Sequence, residues 1–175
     1  ALGKIGGEMA THALHQAFAT AKPAVRSAIA EGGILCAEQF LAEDNNEMAI
    51  AVYDAIRKAD VPKQRILEAT RGAIIARGEQ GIPLLVQQLQ SSDKRMFQVG
   101  LSTARELPGS KVVEALSDQL AEAAPERASL IIYAIGDREG VVLPQSVLQA
   151  TTTGDEQVRL AAIDLVGRLG DVSAV

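Results

Sequence analysis

The sequence predicts an all-α chain built as a solenoid of about five stacked helix pairs. Three observations carry that prediction. Apolar residues recur at spacings of three and four, and alternating strand patterns are nearly absent. An arginine recurs near the start of the second helix of each pair, at Arg26, Arg65, Arg95, Arg127 and Arg159, with separations of 39, 30, 32 and 32 residues. The chain also opens and closes on one phrase: Ala1-Leu2-Gly3-Lys4-Ile5-Gly6-Gly7-Glu8-Met9-Ala10 matches Leu165-Val166-Gly167-Arg168-Leu169-Gly170-Asp171-Val172-Ser173-Ala174. A register of about 33 residues suits stacked helix pairs, whereas a four-helix bundle requires no register at all. No Pro/Gly/Ser-rich linker interrupts the series, so the expectation is one array over residues 1–175, cut from a longer solenoid at both ends.

Each helix has its own signals. Glu8 to Ala21 places Met9, Ala13, Leu14, Ala17 and Phe18 on one face. Pro23 opens a second helix reaching Leu41, at the position where a missing N–H costs least. Asp44-Asn45-Asn46-Glu47 supplies capping residues for Met48 to Lys58. Asp60-Val61-Pro62 opens the next helix, which runs to Arg77 and stops at Gly78. Gly81 to Leu89 forms a short helix, and Ser91-Ser92-Asp93 caps Lys94 to Leu107, which Pro108-Gly109 ends. Ser110 starts Lys111 to Ala124, and Pro125 starts Glu126 to Ile135, which closes at Gly136-Asp137. Val141 to Ala150 is another short helix. Thr153-Gly154-Asp155-Glu156 has capping-box spacing ahead of Gln157 to Leu169. That makes about ten helical segments.

Composition narrows the chemistry. The chain has 175 residues, 47% hydrophobic but only 3% aromatic, so Ala, Leu, Ile and Val do the packing. Its net charge of −5 gives no basic footprint for nucleic acid and no attraction to an anionic membrane. No stretch approaches the ~18 apolar residues of a membrane span. No signal peptide stands at the first residue, and the compartment, cytoplasm or periplasm, stays open. Cys36 is the single cysteine, which excludes an internal disulfide and a multi-cysteine metal site; in its apolar run it reads as a buried, inert thiol.

Residues Glu156 to Asp171 resemble the second helix of a short HEAT-like repeat of the phycobilisome-lyase subtype: Val158-Arg159, the paired Ala161-Ala162, then Gly167-Arg168-Leu169-Gly170-Asp171. Lys22-Pro23-Ala24-Val25-Arg26-Ser27-Ala28 is similar to the opening of that pattern, and Ala1 to Gly7 to its close. The middle repeats drift, with Gln64 and Lys94 in place of the Val before Arg. The tetratricopeptide pattern finds no consistent match. The resemblance implies a right-handed α-α superhelix, with the arginine series pairing to acids or carbonyls between stacked repeats. Asp155 and Asp93 stand near Arg159 and Arg95 as candidate partners.

No catalytic constellation emerges. His12 and His15 share a helical face but lack further metal ligands, and no His-Glu pair of the HEAT-like hydroxylases occurs. Gly3-x-x-Gly6 and Gly167-x-x-Gly170 lack the strand and Lys-Ser/Thr of a phosphate loop; they read as close helix approach followed by a helix stop. There is no Gly-x-Ser-x-Gly elbow. The expectation is a non-enzymatic scaffold, without cofactor or metal, that binds another protein or peptide on the inner face of its second helices. The contact candidates are Glu68 and Arg71, Gln98, Ser102 and Arg105, and Asp164 and Arg168, which point away from the apolar stripe and mix both charges with amides. The resemblance also implies an alternative, a bilin lyase-type enzyme. Nucleic-acid binding, known among HEAT-like proteins, is disfavoured by the charge and the scarcity of stacking aromatics. Oligomeric state is left open.

Overall fold

The computed structural model describes residues 7–170. They form α1 (Gly7–Thr20), α2 (Pro23–Ala42), α3 (Asn46–Lys58), α4 (Lys63–Arg77), a 3-10 turn (Gly78–Gly81), α5 (Ile82–Leu89), α6 (Lys94–Glu106), α7 (Lys111–Glu122), α8 (Pro125–Gly136), α9 (Gln145–Ala150) and α10 (Glu156–Gly170). Among the described residues there is no strand, and the chain is all-α.

Prolines and caps set the starts. Pro23 and Pro125 occupy the first helical positions of α2 and α8. Asp93 caps α6, its Oδ1 accepting from the backbone N–H of Arg95 at 2.9 Å and of Met96 at 3.3 Å. At α10 the capping box is not formed. Asp155 accepts from the N–H of Gln157 at 2.8 Å, while the Thr153 hydroxyl donates back to the Gln149 carbonyl at 2.9 Å. Asn45 stands at the cap position of α3, but its side chain makes no capping bond. α9 begins at Gln145 rather than Val141. Pro144 disfavours the helical conformation at Leu143, and Gly140 is left-handed at φ 64°, so residues 141–144 stay outside the helix.

The chain divides into two compact units, Ala1–Gly81 and Ile82–Val175. In the first, α1 packs on α2 and α3, α2 on α3 and α4, and α3 on α4. Leu14, Phe18, Ile34, Phe40, Val52, Tyr53 and Ile56 are buried there. The Tyr53 ring lies directly against Gly72 of α4, so close that a Cβ on Gly72 would overlap it. This glycine is required by approach, not by its backbone angles.

In the second unit α5 packs on α6 and α7, α6 on α8, α7 on α8 and α9, and α8 and α9 on α10. The first helices α5, α7 and α9 thus form one row, the second helices α6, α8 and α10 another, with each pair joined across. Leu85, Phe97, Leu101, Val112, Leu116, Ile131, Ile132, Ile135, Val147 and Leu165 fill the space between the rows. Burying each such side chain contributes roughly 1.5–3 kcal/mol. Gly136 admits the side chain of Leu165 where a Cβ would collide with it, which sets how near α8 and α10 lie. Gly167, expected to mark close helix approach, does not: a Cβ there meets nothing within 4 Å. Half of the phrase shared by the two termini, Ala1 to Gly6 and Asp171 to Ala174, lies outside the described residues.

Candidate partner-binding surface

Arg26, Arg65, Arg127 and Arg159 of the arginine register make structural contacts. Arg26 donates to the Ala21 carbonyl at 3.2 Å and to the Asp60 carboxylate, tying the start of α2 to the turn before α4. Arg65 donates to Glu31 of α2 at 2.6 Å and to Glu68 at 2.8 Å. Burial works to raise the Glu68 carboxyl, but hydrogen bonds from Gln64 and Arg65 outweigh it and hold that group below the usual carboxylate range. The same bond to Glu68 raises the Arg65 guanidinium. Arg127 lies 4.5 Å over the Phe97 ring and donates to the Leu89 carbonyl at 3.4 Å, so it links α8 to both α5 and α6. Arg159 donates to the Gly154 carbonyl at 3.0 Å within its own turn. Asp93 and Asp155 both serve as helix caps. Arg95 is exposed.

Two further links appear that the register did not indicate. Arg105 donates to Asp137 at 2.8 Å, and Arg138 donates to the carbonyls of Ala104 and, at 2.9 Å, Gly109. Together they bind the end of α6 to the end of α8. Burial lowers the Arg138 guanidinium. Arg105, a contact candidate, therefore serves the α6–α8 junction. Asp164 and Arg168 form an exposed i,i+4 pair at 3.3 Å, and the exposed Ser102 hydroxyl donates to the Val99 carbonyl at 3.1 Å. Gln98 is exposed on the same helix. Glu68 and Arg71 line a groove of about 250 Å³ between α2 and α4, floored by Tyr53 and rimmed by Glu31, Leu35 and Glu38. Burial there pushes the Tyr53 hydroxyl up to about 12, with Glu38 adding to the shift and Arg71 opposing it.

The residues missed in the sequence are apolar. Leu130 and Tyr133 of α8 and Leu160 and Ile163 of α10 are exposed by 38%, 37%, 60% and 52%. Each pair repeats at a spacing of 30 residues, so both helices present the same two positions outward. The signal was available: with Val158, Ala161, Ala162 and Leu165 buried on one side of α10, Leu160 and Ile163 fall on the opposite side.

Cys36 is buried, and burial pushes its thiol up, away from nucleophilic use. His12 bonds Gln16 at 3.0 Å on the surface of α1, and the side chain of His15 lies outside the described residues. Among the described residues no three His, Cys, Asp or Glu converge as a metal site, and no helix is long and apolar enough to cross a membrane. No known family model, characterised protein or solved structure matches the chain.

Proposed function

We propose that the chain is a right-handed HEAT-like α-solenoid, without catalytic activity, that binds a partner polypeptide on the outward face of its second helices. The observation that carries this reading is the row formed by Leu130, Tyr133, Leu160 and Ile163 on the adjacent helices α8 and α10. Water gains when such side chains are covered, and aromatic and aliphatic anchors with a polar rim are what protein interfaces use. Asp164 and Arg168 supply that rim. The two-row order of α5 to α10 supports the solenoid reading, since a repeated helix pair must bury its apolar stripe against the next pair. The net charge of −5 favours a polypeptide over a nucleic acid.

The test is capture of a partner by the purified chain, repeated with Leu130→Asp and Ile163→Asp combined. Both side chains are exposed, so the variant keeps its helical signal and melting temperature. The reading requires that it lose the captured protein. Retention of the same partner by the folded variant removes this face from the account.

A further inference from the structure

We draw no further inference here: the strongest candidate, the cleft between α7 and α9 with Glu114, Asp118 and Glu139 on its rim, Val113 and Val142 on its walls and the unpartnered Ser146 hydroxyl among its lining, is an acidic cluster beside a surface cleft, and nothing in the structure shows what occupies it.

Discussion

Single side chains carry sharp consequences. Tyr53 is 2% exposed and its hydroxyl is held neutral by burial up to about 12. An unfolded tyrosine ionises near 10, so the unfolded chain loses its proton first as the pH rises. The stabilisation is whole below about pH 10 and is lost between there and pH 12, about 2–3 kcal/mol in all. Titration followed by phenolate absorbance should show one of the two tyrosines ionising only as the helical signal collapses. Gly72→Ala drives a methyl into the Tyr53 ring and should cost roughly 1–3 kcal/mol in denaturant unfolding, with most of the loss absent in a Tyr53→Leu background. Asp93→Ala removes two capping bonds and should cost about 1 kcal/mol, measured the same way.

At the scale of the helix, α2, α4 and α8 are each fastened to a neighbouring element by the register arginine, and the fastenings differ in worth. Arg26 and Arg65 hold partly exposed ion pairs, which solvent screening keeps weak. Arg127 combines a ring contact with a carbonyl bond, so Arg127→Ala should cost more, about 1–2 kcal/mol. Arg127→Lys should recover little of it, because an ammonium lacks the flat guanidinium that lies over Phe97. Helix existence was legible because the apolar period, the prolines and Asp93 agree along the chain. The start of α9 and the cap of α10 were not, since Pro144 and Asp155 decide them through local backbone geometry that periodicity does not encode. The pairing of Arg105 with Asp137 also escaped the sequence, because residues 32 positions apart meet only once α6 and α8 are packed.

For the whole molecule, sequence reasoning proposed a face of polar residues on the second helices, from Glu68 and Arg71 to Asp164 and Arg168. Charged residues at solvent positions looked like contacts, yet Arg105 and Arg168 each have an internal carboxylate partner. The exposed apolar row on α8 and α10 is the stronger signal, because uncovered apolar surface costs free energy that an ion pair at the surface does not. A photo-crosslinking residue placed at Tyr133 and Leu160, with a third at the exposed Glu47 of α3 as the control, tests this most directly. The account predicts covalent adducts of the captured partner from the first two positions and none from the control. Adducts from Glu47 alone would contradict it.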